Sequence, residues 1–406
     1  DGKHFLYFGR GGTEEKQGIY AGSTDAAESV FVVATSVVGS YTEANGVGYL
    51  LFIREGTLMF QPFDAGKLAL SGEATPLVES ILSFPGEVGP TAFSAFSASG
   101  GNLIYRTGDQ QTIRMTWYDR SGKLLETVGE PSGYHEPMLS KDDTKLIFGK
   151  SDGSTPQDIY LHDFSRGNTT RLTFDPTSDS TAVFSPDETQ VLFCSTRAGK
   201  EGFFRRSASG AGGEELVINF ETASYPDSWS HDGKYLLYES NGGGKTKVDL
   251  WVLPMTGEPV PFPYLESPFE EAHAQFSPDG KWVAYTSNES GRSEVYVQSF
   301  PVGGGKWQIS TAGGDQPQWR SDGKELFFMA PDRNILSVAL DGSATLAIGR
   351  PTVVFQTATP LVGITDDRNT YVASKDGQRF LVNTLADTTN LQPLTLVLNW
   401  AGEIKK

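Results

Sequence analysis

An all-β fold, a β-propeller built from four-stranded antiparallel blades, is predicted by three features of this 406-residue sequence. A turn of the Ser-Pro-Asp-Gly-Lys type, followed by an apolar strand, recurs at spacings of 43 to 54 residues. Each repeat then carries further short strand-like runs, to a total of four. The 46 glycines and 22 prolines supply turn chemistry and leave little room for long helices.

The turn anchors the repeat. It reads Asp1-Gly2-Lys3, Asp232-Gly233-Lys234, Ser277-Pro278-Asp279-Gly280-Lys281, Asp322-Gly323-Lys324 and Asp376-Gly377-Gln378. Weaker copies sit at Asn45-Gly46, Ser99-Gly100, Asp142-Asp143 and Ser185-Pro186-Asp187-Glu188, which makes nine units. Proline presets φ at the first central position, aspartate suits the second, and glycine takes the left-handed position that closes a hairpin. At Asp143 and Glu188 the glycine is gone, which puts the local turn geometry in question but not the fold.

After the turn comes an apolar strand, as at residues 235–238, 282–285 and 325–328. A polar loop leads to an alternating strand at residues 158–161, 249–252 and 294–297, and a Gly-rich turn leads to a short fourth one at 171–174 and 306–309. Four strands in about 40–45 residues is the pattern of a propeller blade and not of a helical solenoid.

The phase of the repeats predicts how the ring closes. The last unit has an inner strand near Tyr371, a second at residues 379–382 and a third at 394–398, but no fourth. Residues 123–129 can supply it by pairing with 394–398, which abolishes an open sheet edge. Residues 119–406 are then one six-bladed propeller. Residues 1–118 hold about two and a half units of a partial propeller, truncated at its N-terminal side, whose missing front lies elsewhere or is replaced by a partner chain. A single ring of eight or nine blades is the alternative.

Composition excludes several functions. Fifty acidic against 33 basic side chains give a net charge of −17, which repels nucleic acid and anionic membrane surfaces. The longest apolar run, residues 29–38, is far short of the ~20 residues that span a bilayer, so no membrane insertion is expected. One cysteine, Cys194, allows no internal disulfide and reads as a small buried hydrophobe in a strand.

Residues 276–328, with FSPDGKWVAYTSNESGRSEVYVQSF, GGKWQIST and GGDQPQWRSDGKELFF, resemble the propeller region of bacterial transmembrane serine/threonine kinases of the kind abundant in acidobacteria. The ending, GQRFLVNT and LTLVLNWAGEIKK, resembles the C-terminus of the same family, and DGKHFLYF, QGIYAGS and GYLLFIREGTLMFQPFD fit it upstream. Individual repeats are also similar to those of TolB, the periplasmic propeller of the Tol system. The resemblance implies an extracytoplasmic, periplasmic or cell-surface location and a parent with a kinase domain and one membrane helix. The chain itself has no Gly-rich ATP loop, no His-Arg-Asp and no Asp-Phe-Gly, so it is not expected to be an enzyme.

Candidate ligand-binding residues lie in the segments entering the inner strands: His135, Glu136, Asp179, Asp227, Glu271, His273, Asp315 and Gln316, with Glu270 beside them. In a propeller such segments converge at one mouth of the central channel. None has metal-ligand spacing, so no metal site or cofactor is assigned, although a cation such as Ca²⁺ would suit such a mouth. Gly149-Lys150-Ser151-Asp152-Gly153 matches a nucleophile elbow, but the motif requires a following helix and here a strand follows, so Ser151 is structural. Trp229, Trp251, Trp282 and Trp319 recur at equivalent strand positions, which favours packing between blades over carbohydrate stacking. The runs Gly242-Gly243-Gly244 and Gly303-Gly304-Gly305 open no helix and read as hairpin turns.

Three readings follow. The first is a non-catalytic module that senses a ligand or binds a protein or cell-envelope partner. The second is a propeller hydrolase or lyase that uses acids at the channel mouth. The third is a structural, self-assembling propeller, a homo-oligomer formed through the incomplete N-terminal units.

Overall fold

The computed structural model describes residues 2–9, 17–84, 93–108, 112–151, 156–242, 247–341, 347–359, 369–386 and 392–402. It is an all-β propeller structure, and the chain divides into two compact units. One comprises Asp1–Gln111 with Asp387–Lys406, the other Thr112–Ala386. The second unit is therefore an insertion in the first.

The recurrent turn works through its side chains. In five copies the serine hydroxyl donates to the aspartate two residues on, Ser140 to Asp142, Ser185 to Asp187, Ser230 to Asp232, Ser277 to Asp279 and Ser374 to Asp376, at 2.6–2.8 Å. The same hydroxyl accepts from the backbone N–H five residues on, which starts the next strand. Arg320 replaces the serine in the one other copy of the second unit and grips Asp322 with two nitrogens. Asp143 (φ 62°) and Glu188 (φ 57°) take the left-handed conformation that Gly233, Gly280, Gly323 and Gly377 take elsewhere. The turn geometry questioned at those two positions is thus the same as in the glycine copies.

Six blades make up the second unit among the described residues, four-stranded except the fifth, where Ala347–Ile348 and Thr352–Gln356 both pair with Asn334–Asp341. Four consist of consecutive strands, with inner strands at Asp179–Phe184, Ser224–Trp229, Glu271–Phe276 and Asp315–Trp319. The other two share the long strand Leu124–Leu139. Its second half pairs with Lys145–Ser151 and begins the first blade. Its first half pairs with Ile113–Asp119, which pairs in turn with Arg379–Leu385 and so with Tyr371–Ala373. The ring is closed by two strands from each end.

This corrects the predicted closure. Residues 123–129 do form the outer strand of the closing blade, but their partner is Ile113–Asp119 and not residues 394–398. Thr395–Val397 instead pairs with Asn102–Tyr105 in the first unit. Either strand offers a short alternating apolar edge. What places the second is packing: Trp400 is buried against Tyr49 and Phe60, with ring centroids at 5.4 and 5.5 Å.

Side chains alternate between the two faces of a strand, so each blade can fill an interface on either side. Ile147 packs toward Phe184 and Phe193 of the second blade, while its neighbours Leu146 and Phe148 pack toward Trp117 and Leu381 of the sixth. The same alternation carries Leu192 and Leu237 into successive interfaces, then Ala284 and Phe327. Six apolar interfaces thereby follow one another around the ring and return to the first blade.

Three sheets of the first unit stack on one another, and a two-stranded pair, Ser83–Phe84 with Phe93–Ser94, is separate from them. His4–Gly9, Gly18–Ser23 and Ala26–Ala34 form the first. Ser40–Ala44, Val47–Arg54 and Thr57–Asp64 lead the second, and Phe96–Ser99, Asn102–Tyr105 and Thr395–Val397 form the third. Ile19, Ala21 and Val33 of the first pack on Leu50 and Phe52 of the second. The opposite face of the second, with Leu51 and Phe60, packs on Leu103 and Trp400.

Candidate functional site

The inner strands of the ring are bulged, and the bulges decide what the candidate residues do. Register shifts fall between His135 and Met138, Ser180 and Val183, Pro226 and Ser228, Ala272 and Gln275, and Asp315 and Gln318. A bulge withdraws backbone N–H groups from the ladder, and a buried N–H without a partner costs about 1–3 kcal/mol. Glu136, Thr181, His273 and Gln316 sit in these bulges with φ between 49° and 56°.

The missing partners come from side chains, mostly of the preceding blade. Glu136 accepts from the N–H and hydroxyl of Thr181 at 2.7 and 3.1 Å. Glu239 accepts from the His273 N–H at 2.6 Å. Gln316 accepts from the N–H and hydroxyl of Thr370 at 2.8 and 2.9 Å, and its own N–H is taken by Asp315. Asn383 of the last blade donates to the Tyr134 carbonyl of the first. Bonds of this kind fasten blade to blade.

Asp315 accepts from three groups, the His273 ring, the Thr286 hydroxyl and its neighbour's N–H. One oxygen lies 2.5 Å from Nδ1 of His273 and 2.9 Å from the Thr286 hydroxyl. Burial works to raise its carboxyl, but the His273 ring and these hydrogen bonds outweigh burial and hold it below the ordinary aspartate value. Asp179 is fully buried and is gripped at 2.7 and 2.9 Å by one Arg197 nitrogen. Its carboxyl is pushed up by burial, which Ser195 and Arg197 oppose. Glu271 is buried as well, accepts from Ser267 at 2.6 Å, and is pushed up by burial. His135 is half-buried in its strand, paired with Gly149.

The channel encloses a cavity of about 250 Å³ whose wall is drawn from all six blades. Glu136 and Asp227 are the two members of the candidate set that line it. Its other charged lining comes from the recurrent turns. Lys141, His231 and Lys375 all occupy the position after the first turn residue, and Asp143 and Glu188 occupy the left-handed one. The sequence carried a signal for these: alignment of the turns puts the three basic side chains at one register. Lys141 donates through Nζ to the Pro186 carbonyl at 2.6 Å, and Lys375 to that of Asp142 at 3.4 Å. His231 is held below the ordinary histidine value, chiefly by burial and then by Lys141.

Among the described residues no group of three or more His, Cys, Asp or Glu side chains is placed to hold a metal ion. Ser151 is buried, residues 152–155 lie outside the described residues, and the next described element is the strand Asp158–Asp163. Trp229 and Trp251 pack in one blade interface, and Trp282 and Trp319 in another. Gly243 and Gly244 lie outside the described residues. Cys194 is a buried strand residue, and no described helix is long and apolar enough to cross a membrane.

A family model described as the TolB beta propeller domain matches residues 90–259. The fold is that of a TolB-like β-propeller. The putative TolB from Agrobacterium tumefaciens is 16% identical with a TM-score of 0.55, over 69% of this chain and 100% of that one. TolB from Acinetobacter baumannii is 15% identical with a TM-score of 0.47, over 88% of this chain and 80% of that one. An oligogalacturonate lyase in complex with manganese is 15% identical with a TM-score of 0.44, over 76% of this chain and 82% of that one.

Proposed function

We propose that this chain is a non-catalytic binding module, the extracytoplasmic ligand-sensing or protein-interaction propeller of a membrane-bound serine/threonine kinase. One observation carries the reading. The acids and histidine that could have done chemistry, Glu136, Asp179, His273 and Asp315 among them, serve as acceptors and ion partners in fixed bonds, most of them between blades. What that bonding produces is a rigid ring with a preformed channel, the arrangement by which propellers present a composite surface to a partner. The kinase link and the location rest on the resemblance in sequence.

The experiment places a photoreactive benzoylphenylalanine at His231, in the channel wall, and at Phe262, on the exposed outer strand Phe262–Leu265. Irradiation in cell envelopes should give a discrete protein or cell-wall adduct from position 231 that excess unlabelled protein competes away. Equal labelling from both positions, or none, sinks the reading. Turnover of a cell-wall polymer that Asp227→Asn abolishes would favour an enzyme instead.

A further inference from the structure

Between the fourth and fifth blades, on the side of the recurrent turns, lies a groove of about 700 Å³. Its wall includes Trp282 of the fourth blade and Trp319 and Leu340 of the fifth, which belong to one interface cluster. The preceding interface shows why the groove is open. There Phe300 donates its N–H to the Lys281 carbonyl at the turn, and its ring fills the space between Tyr235 and Phe276, with centroids at 5.3 and 4.9 Å. Leu340 makes the same bond to Lys324. Trp282 and Trp319 stand where Tyr235 and Phe276 stand, at the start of a second strand and the end of an inner one. Leucine is smaller than phenylalanine, so the packing predicted for these tryptophans is left unfilled toward the turns.

Both indoles are held in place. Trp282 meets Trp307 edge to face at 5.2 Å, and the Trp319 side-chain N–H donates to the Gln275 carbonyl at 3.2 Å. The rim is polar and balanced in sign. Asp279 pairs with Lys281 at 3.4 Å and Asp322 with Arg320 at 2.8 Å. Lys324 and Asp341 line the groove as well, both exposed, and their side chains make no hydrogen bond or ion pair among the described residues. Three acids against three bases offer little net charge to a cation or an anion. They offer charged donors and acceptors beside an aromatic wall, which suits a ring with apolar C–H faces and a girdle of hydroxyls. Pyranoses with equatorial substituents have such faces, since only their axial hydrogens point up and down. We propose that the groove binds an oligosaccharide of β-linked glucose or N-acetylglucosamine units, one ring seated against the indoles and its hydroxyls bonded by Lys324 and Asp341. Pro278 and Trp319 also border the channel cavity, but the inference rests on the unfilled interface and is independent of the channel reading.

Calorimetric titration of the full chain with cellotetraose and with tetra-N-acetylchitotetraose tests it, and saturable binding of at least one is expected. Leu340→Phe restores the side chain that fills the preceding interface and should weaken that binding by ~10-fold or more, because its ring takes the sugar's place. Lys324→Ala and Asp341→Ala, at exposed positions, should each weaken it by ~3–10-fold, the worth of one hydrogen bond. His231→Ala, in the channel wall, should leave it unchanged. Circular dichroism identifies a variant that fails to fold, and if Leu340→Phe does so the two surface variants decide. No binding of either sugar at about 10 mM overturns the proposal, and so does binding indifferent to every folded groove variant. Loss with His231→Ala but not with the groove variants puts the sugar in the channel and overturns it. Tetralysine bound more tightly than either sugar overturns it too, since the groove then selects charge.

Discussion

The backbone N–H of Lys141 donates to the Glu188 carboxylate at 2.5 Å, from the turn of one blade to the turn of the next. The same relation links Lys375 to Asp143, with both carboxylate oxygens at 3.1 Å. Asp143 and Glu188 are the two turn positions where the repeat lacks its glycine. A non-glycine residue held left-handed costs about 1 kcal/mol. In return the side chain caps an N–H that has no partner in its own turn.

Glycine and alanine at position 188 should therefore differ in an unusual direction. Glu188→Gly loses the bond but relieves the backbone, and the two terms of about 1 kcal/mol offset. Glu188→Ala loses the bond and keeps the strain, for a net loss of about 1–2 kcal/mol. Urea denaturation of the two variants checks this. If alanine is no worse than glycine, the capping account fails.

Glu136 should prove to be a fastener. Glu136→Ala leaves the Thr181 N–H in a bulge without its acceptor, for a loss of about 1–3 kcal/mol. Glu136→Gln keeps one carbonyl acceptor and should cost about half as much. Equal losses from both, measured by urea midpoint, would mean that charge rather than the bulge bond is at stake.

The turn and the repeat were legible in the sequence because they are local: serine, aspartate and glycine at fixed offsets need no distant partner. The ring closure was only half legible. Leu396 and Val397 alternate like any third strand, and nothing within their segment says that Trp400 will bury itself against Tyr49 and Phe60, more than 300 residues away. The candidate residues lie on the inner strands, but only Glu136 and Asp227 among them line the cavity. Their tasks were hidden because the N–H groups they satisfy arise from bulges in neighbouring blades, and a bulge leaves no mark in a single strand's pattern.

Asp315 predicts an acid-sensitive step. Its folded carboxyl lies below the unfolded value of about 3.9, so the ionised form favours the fold. That contribution is complete above the unfolded value and is lost as pH falls through it toward the folded one. Asp315→Asn should cost roughly 3 kcal/mol at neutral pH, since it strips His273 of its partner. Below about pH 4 the difference from the parent should shrink. A difference constant from pH 7 to pH 3 would remove Asp315 from the account of acid stability.

Trp400 should matter to the first unit alone. It is 2% exposed, its backbone N–H donates to the Gly101 carbonyl at 3.0 Å, and its side chain fills a core built from Leu51, Phe60 and Leu103. Trp400→Ala should cost about 3–5 kcal/mol. Hydrogen exchange should show Val47–Arg54 losing protection while Trp282–Ser287 keeps its own. Equal loss in both strands would mean that the two units unfold as one.

The inserted unit can be cut out, and where it is cut should decide whether it folds. Residues 112–386 contain both halves of the closing blade, two strands from each end. Residues 120–386 lack Ile113–Asp119, so Arg379–Leu385 loses its partner along its full length. They also lack Met115 and Trp117, each 1% exposed, and a large core side chain of this kind is worth about 3–5 kcal/mol. An open ring also bares sheet edges that invite aggregation. The longer fragment should therefore unfold cooperatively in urea, and the shorter one should bind a hydrophobic dye and show no sharp transition. If the two melt alike, closure by Ile113–Asp119 is not what holds the ring, and the blade interfaces alone must suffice.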